Sequence, residues 1–216
     1  MNITILCSSS THPVNKWLKQ WVDDNSRNHT IDIVRSTQEI KSDGDILFLI
    51  SCSEIISQKV KGRFKKALII HASDLPKGRG WSPHIWEIIA GVSGVTLSLL
   101  EVEDKVDGGS IWKKLKVQLL NTDLYDDINK KIFESELKLM NFAVDFFDEV
   151  IPKKQDILIT STYFEKRRPE DSELDIHKTI KEKFNLMRVC DPSRFPAFFY
   201  FEGKKYKLYI ERDDEK

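Results

Sequence analysis

Five apolar runs punctuate the first half of the chain: Ile3–Cys7, Thr30–Val34, Asp45–Cys52, Ala67–His71 and Gly94–Val102. Ile, Val and Leu dominate several of them with little alternation, the pattern of strands covered on both faces. The stretches between are polar and carry helical spacing. Pro13–Asp24 sets Val14, Trp17, Leu18, Trp21 and Val22 on one stripe. Ser82–Gly91 opens on Ser-Pro and closes at glycine, the start and stop signals of a helix. Strands alternating with helices predict an α/β chain with a Rossmann-like open, mainly parallel sheet.

The pattern then changes. Gly109–Leu119 alternates late in the run, Leu115, Val117 and Leu119 against Lys114, Lys116 and Gln118, which predicts a strand with one wet face. Thr122–Val150 repeats Ile128, Ile132, Met140, Val144 and Phe147 at near-helical steps, with Pro152 as the stop. A helix is expected near Asp175–Cys190. Tyr200–Tyr209 reads as strand, turn at Gly203, strand. The division expected is a core over residues 1–150 and a short C-terminal extension over 151–216 that ends in this hairpin and packs on the core.

With 216 residues, 40% of them hydrophobic, a sizeable core is expected. Lys plus Arg and Asp plus Glu number 34 each, and this balance argues against a general nucleic-acid partner. Cys7, Cys52 and Cys190 are far apart and in no metal spacing, so no metal is expected, and free thiols fit a reducing compartment. No signal peptide or membrane-length apolar run is read, so a cytoplasmic protein without a membrane partner is expected.

Candidate chemistry begins at His71, where the run Ala67-Leu-Ile-Ile gives way to Ser73, Asp74 and glycines. In open α/β sheets ligands bind outside the carboxyl ends of strands; the plainer reading is a histidine at the edge of the core. Glu101, Glu103, Asp104 and Asp107 put four carboxylates in seven residues, mostly a solvated loop. Asp107 differs because Gly108 and Gly109 follow it, and such a carboxylate could orient a histidine, although Asp-Gly is also common turn chemistry. Residues 59–66 hold five cations, a solvated surface or a phosphate-attracting rim. Arg167 and Arg168 precede Pro-Glu-Asp, and arginine forks suit phosphates and carboxylates alike. No Gly-x-Gly-x-x-Gly, Walker loop or Gly-x-Ser-x-Gly elbow is present.

Together these pieces resemble the N10-formyltetrahydrofolate-dependent formyltransferases. His71-Ala-Ser-Asp-Leu-Pro-Lys-Gly-Arg-Gly-Trp-Ser-Pro-His-Ile-Trp86 is similar to that family's His, Ser-x-Leu-Pro, Arg-Gly and helix-opening Pro. Gly94-Val-Thr96 and Asp107-Gly-Gly-Ser-Ile111 follow in the family's order. Arg167-Arg-Pro-Glu-Asp171, Asn185-Leu-Met-Arg188, Phe195-Pro-Ala-Phe198 and Gly203-Lys-Lys-Tyr206 resemble the segment that follows the core in sugar-nucleotide formyltransferases, and the variant His71-Ala-Ser-Asp-Leu-Pro-Lys-Gly-Arg-Gly-Trp81 resembles those of the pseudaminic-acid-pathway type.

The resemblance implies the formyltransferase fold, with residues 1–150 as the catalytic core and 151–216 completing the sugar-nucleotide site. It implies transfer of a formyl group from N10-formyltetrahydrofolate to a neutral primary amine, with His71 as acid/base and Asp107 holding and polarising it. Folate is expected between Ser51–Ile56 and Leu100–Val106, with contacts at Ser51, Cys52, Ser53, Leu100, Glu101, Val102 and Val106. The other partner is expected to be a nucleotide-linked amino-deoxy sugar, a UDP-4-amino-4,6-dideoxy-hexose leading, with Lys77, Arg79, Trp81 and Arg168 as contacts. The resemblance contains no counterpart of the C-terminal barrel of methionyl-tRNA formyltransferase. With the zero net charge, this favours the sugar over aminoacyl-tRNA. The hairpin is a candidate homodimer surface.

One departure stands out. The family places an oxyanion-donating asparagine two residues before the histidine, and here that residue is Ile69. Losing such a donor costs on the order of a hundredfold or more in rate. A substitute donor such as a backbone N–H or a side chain from the Ser51–Ser53 loop, a His71 that does both jobs, a slow enzyme, or an inactive binding protein are the alternatives this leaves.

Overall fold

The computed structural model describes residues 1–213. Its strands are β1 (Asn2–Leu6), β2 (Thr30–Val34), β3 (Gly44–Leu49), β4 (Phe64–His71), β5 (Arg79–Gly80), β6 (Gly94–Glu101), β7 (Ile111–Gln118), β8 (Tyr163–Phe164), β9 (Ala197–Phe201) and β10 (Lys204–Leu208). Its α-helices are α1 (Asn15–Asn25), α2 (Gln58–Lys61), α3 (Pro83–Ile89), α4 (Tyr125–Asp145) and α5 (Ile180–Met187).

Six strands form the central sheet in the order β2-β1-β3-β4-β6-β7. β1 pairs in parallel with β2 and β3, and β3 in parallel with β4. β6 runs antiparallel to β4 and to β7. The sheet is therefore parallel over its first four strands, and β6–β7 is a long-looped hairpin on one edge. The chain leaves β1 toward β2 and returns to the opposite side of β1 for β3. This reversal opens a crevice between the carboxyl ends of β1 and β3, the usual place for a ligand in such sheets.

Both faces of the parallel strands are covered, which is why their sequences fail to alternate. One face buries Ile3, Ile5, Phe48, Leu68 and Ile70 against Leu18 and Trp21 of α1 and Ile132, Leu139 and Met140 of α4. The other buries Leu6, Leu47, Leu49, Phe64 and Ala67, with Ile69 partly buried beside them. Among the described residues no helix is long and apolar enough to cross a membrane.

Several boundaries differ from expectation. The run Asp45–Cys52 leaves the sheet after Leu49, because Ser51 adopts φ 48°. The long helix spans Tyr125–Asp145 rather than residues 122–150; Asp127 caps its start by accepting from Leu124 N, and Phe146, at φ −112°, unwinds its end. The helix expected near residues 175–190 starts only at Ile180. There Glu182 N donates to Thr179 Oγ1 and Thr179 N donates to Glu182 Oε2, a reciprocal cap that fixes the first turn. The terminal hairpin turns at Glu202 and Gly203, both at positive φ, as a tight two-residue hairpin turn requires.

Candidate active site

β4 ends on His71, which is 7% exposed. The ring is fixed from both sides. Nε2 lies 2.8 Å from the Gly78 carbonyl oxygen; a carbonyl only accepts, so Nε2 carries a proton and donates. Nδ1 faces Asp107 Oδ1 at 3.5 Å, longer than a formed hydrogen bond and close enough for the carboxylate to stabilise the ring once Nδ1 takes up a proton. Gly78 can offer that carbonyl because it sits at φ 71°, where a Cβ would come within 2.7 Å of Ser73 Cβ.

Asp107 lies in the loop joining β6 to β7 and is 9% exposed. Its φ of 52° is left-handed, a conformation Asp tolerates better than most side chains. Oδ2 accepts from Gly80 N at 2.9 Å. The glycines after it are required by space: a Cβ on Gly109 would stand 1.8 Å from the Glu101 carbonyl oxygen. The loop therefore folds back on the end of β6, and this close approach points the Asp107 carboxylate at His71.

The crevice between β1 and β3 holds the first group of expected folate contacts. Ser51 and Ser53 are exposed and Cys52 is half-buried. Ser53 N donates to Ser8 Oγ at 3.0 Å, and Ser8 Oγ lies 3.6 Å from Cys52 Sγ, tying this loop to the end of β1. Half-buried Cys52, Ile56, Ile69 and Val102 share one apolar cluster. The second expected group divides. Leu100 is fully buried and, with Glu101, lies in the β4–β6 ladder, and Glu101 Oε1 is taken by Lys66 Nζ at 2.8 Å and Trp112 Nε1 at 3.3 Å. The free loop starts only at Val102, whose N donates to Ala67 O, and Val106 is exposed.

Of the expected substrate contacts, Arg79 and Trp81 flank Gly80, whose N donates to Asp107, and β5 pairs with β8 so that the returning chain runs alongside them. Arg79 donates from Nη2 to Gln155 Oε1 at 2.9 Å. Lys166 Nζ sits 4.7 Å from the Trp81 ring centroid. Lys77 is exposed. Arg168 is also exposed and its backbone N caps the turn at Asp171, with nothing that ties its side chain to His71.

The cationic stretch at residues 59–66 is largely paired. Lys61 meets Asp104, Arg63 meets Asp43, Lys65 meets Asp45 and Lys66 meets Glu101, which favours a solvated, ion-paired surface over a phosphate rim. Among the described residues no cluster of three or more His, Cys, Asp or Glu side chains could hold a metal. Surface grooves of about 460 Å³ beside Leu174 and Tyr200 and about 280 Å³ beside Val34 and Ile40 include neither His71 nor Asp107. The chemistry of the pair, not cavity size, marks the site.

Sequence reasoning missed three neighbours. Gln155 and Thr162 come from an otherwise featureless loop and reach the backbone at Asp107, Gly109 and Gly78; nothing in their spacing signals it. His84, the second residue of α3, is electrostatically coupled to His71 and to His12. Burial pulls both His84 and His12 down to about 4, so both are neutral at pH 7. The Pro83-His84 pair at a helix start was the available signal.

Comparison with known proteins decides the family. The sequence profile described as "Formyl transferase" matches residues 5–144, well over half of the chain. The chain belongs to the formyl transferase family. It is 35% identical over 148 residues to a methionyl-tRNA formyltransferase of Natranaerobius thermophilus, covering 67% of this chain and 46% of that one. It is 26% identical to the methionyl-tRNA formyltransferase of Fusobacterium nucleatum, covering 92% and 63%. The chain thus spans about half to under two thirds of the length of these curated relatives. Among solved structures, methionyl-tRNA formyltransferase from Clostridium thermocellum superposes with a TM-score of 0.81 at 21% identity, covering 100% of this chain and 95% of that one. A sugar N-formyltransferase from Shewanella sp. gives 0.73 at 15% identity, covering 100% and 99%. HypX from Aquifex aeolicus, in complex with tetrahydrofolic acid, gives 0.73 at 20% identity, covering 96% and 37%. At these identities the structures establish the formyl transferase fold, with its mainly parallel central sheet.

Proposed function

We propose that this chain is an N10-formyltetrahydrofolate-dependent formyltransferase whose acceptor is the primary amine of a nucleotide-linked amino-deoxy sugar. The observation that carries the reading is the buried His71 Nδ1–Asp107 Oδ1 pair at 3.5 Å, set at the carboxyl edge of the sheet in a chain of this family.

The residues present fit a folate. Cys52, Ile56, Ile69 and Val102 give an apolar wall, and the loops at 51–53 and 103–106, exposed apart from half-buried Cys52, border it, a surface suited to a flat heterocycle. A structural neighbour, HypX, is known in complex with tetrahydrofolic acid, which supports a folate as the donor. The folate supplies an activated formyl group. The chain's own residues hold and move protons: Gly78 O fixes the imidazole through Nε2, leaving Nδ1 and Asp107 Oδ1 to accept the proton that the attacking amine must lose. His71 acts as the acid/base and Asp107 as its orienting partner. Gly80 N holds the other Asp107 oxygen, so the carboxylate cannot swing away.

The sugar nucleotide is assigned to the side of Trp81, Arg79 and Lys77. An aromatic face with Lys166 above it offers stacking for a base or sugar, and the cations offer diphosphate contacts, binding energy remote from the reacting amine. Residues 1–150 carry the pair and 151–216 contribute Lys166 and Arg168. A UDP-linked 4-amino-4,6-dideoxy sugar is the first acceptor to try, for a cytoplasmic step in surface-glycan synthesis. The second reading, an aminoacyl-tRNA acceptor, is favoured by the two curated relatives named above.

The test is incubation with N10-formyltetrahydrofolate and, in parallel, UDP-, dTDP- and GDP-linked amino sugars and charged initiator tRNA, with mass detection of the formylated product. A formylated sugar nucleotide is expected. Product only on the tRNA replaces the acceptor; product on none, with folate still bound, leaves a binding protein.

A further inference from the structure

The stretch of residues 153–163 is exposed at every position except Gln155, which is half-buried. Its side chain turns inward and uses all its polar atoms. Nε2 donates to the Asp107 carbonyl oxygen at 2.7 Å and to the Gly109 carbonyl oxygen at 3.0 Å. Oε1 accepts from Arg79 Nη2 at 2.9 Å. One amide therefore bridges the loop that carries Asp107 and the strand that holds Asp107 Oδ2 through Gly80 N.

A few residues on, the same strap grips the other half of the pair. Gly78 N donates to Thr162 Oγ1 at 2.8 Å, and Arg79 N donates to Thr162 O at 2.9 Å. Gly78 is the residue whose carbonyl fixes His71 Nε2. The strap is itself anchored, since Lys153 and Ile111 exchange backbone hydrogen bonds at the start of β7.

We infer that Gln155 is a positioning residue that sets the Asp107–His71 separation, with Thr162 as a second arm of the same clamp. The physical case rests on Asp107 at φ 52°, a conformation a free loop would abandon. The close approach of Gly109 to Glu101 turns Asp107 toward His71, but Gly108 and Gly109 leave the loop pliable, so holding the 3.5 Å separation calls for a grip from outside the loop. Two donors from one planar amide fix the position and orientation of the loop carbonyls. An Arg79 contact at the far end fixes the amide.

The inference rests on the formyl-transfer reading for its kinetic part and is independent of it for its structural part. The experiment compares the parent with Gln155→Glu and Gln155→Ala by amide exchange at Gly80, melting temperature, and kcat and KM for donor and acceptor. Gln155→Glu keeps the length and the Arg79 contact but loses both N–H donors, so it isolates the clamp if Gln155→Ala folds poorly. The expected result for Gln155→Glu is about tenfold faster Gly80 exchange, a kcat about 10- to 100-fold lower, and KM values within about threefold of the parent. Unchanged Gly80 exchange in a folded variant overturns the inference, whatever the activity. So does parent-like kcat, or a loss confined to KM. A parent protein that forms no formyl product defeats the proposed function alone, and Gly80 exchange still decides the clamp.

Discussion

His71 Nδ1 faces Asp107 Oδ1 at 3.5 Å while the opposite ring nitrogen donates to the Gly78 main chain. The ring therefore has one nitrogen not engaged by the main chain, and the group it faces is the Asp107 carboxylate, the orienting partner under the proposed function. Asp107→Asn tests this cleanly. Asn tolerates φ 52°, and its side-chain oxygen can still accept from Gly80 N, so the loop should hold. The expected outcome is a melting temperature near that of the parent and a kcat lower by about 10²–10⁴-fold, the usual worth of positioned acid–base catalysis. His71→Ala should lose a similar factor. Turnover near the parent's in either variant would place the proton transfer elsewhere.

Gly109 and Gly203 make different predictions from the same substitution. A Cβ at Gly109 meets the Glu101 carbonyl oxygen at 1.8 Å, so backbone must move, and with it the loop bearing Asp107. At Gly203 nothing lies within 4 Å and only the φ of 75° resists. Urea unfolding should show Gly109→Ala destabilised by more than about 2 kcal/mol and Gly203→Ala by about 1–2 kcal/mol. Activity should fall only in the first.

Glu136 gives a pH signature with a definite sign. It is buried on α4, Oε2 has no partner, and burial pushes its carboxyl up from 4.5 to about 8. The folded chain holds a proton that the unfolded chain releases. The stability from this site is complete below about pH 4.5, declines as pH rises, and is gone above about pH 8. Glu136→Gln has no proton to hold. Its stability relative to the parent should rise by up to about 1.4 kcal/mol per pH unit between about pH 5 and 8. Paired denaturation curves at pH 5, 6.5 and 8 measure this, and a pH-independent difference would show that Glu136 is ionised in the fold.

How much of this was legible depends on where each feature's cause lies. Doubly covered strands announce themselves, because Leu68 and Ile70 face one core and Ala67 and Ile69 the other, leaving no polar position to alternate. His71 and Asp107 were legible through glycines and a strand end. Leu100 and Glu101 were expected in a ligand loop, yet they fall inside the apolar run Gly94–Val102 and continue the sheet by antiparallel pairing to β4. Gln155 and Thr162 were not legible at all. Their role comes from β8 pairing with the two-residue β5, a contact between segments more than eighty residues apart with no periodicity to betray it.

Ile69 holds the place where formyltransferases of the resembled kind carry asparagine, and its surroundings decide what restoring that residue would do. It is flanked in register by Leu49 and Leu100 and packs with the cluster that contains Leu6, Leu47 and Ala67. An asparagine there exchanges a branched hydrocarbon for an amide with apolar neighbours on both adjoining strands. Lost packing and an unpaired amide each cost about 1–3 kcal/mol. Ile69→Asn is therefore expected to lower the melting temperature and to leave kcat at or below the parent value. Melting curves and initial formyl-transfer rates, measured on the same preparation, check both halves. A tenfold or greater gain in kcat would show instead that the missing donor limits the reaction, and that the amide reaches the reacting oxygen despite its apolar setting.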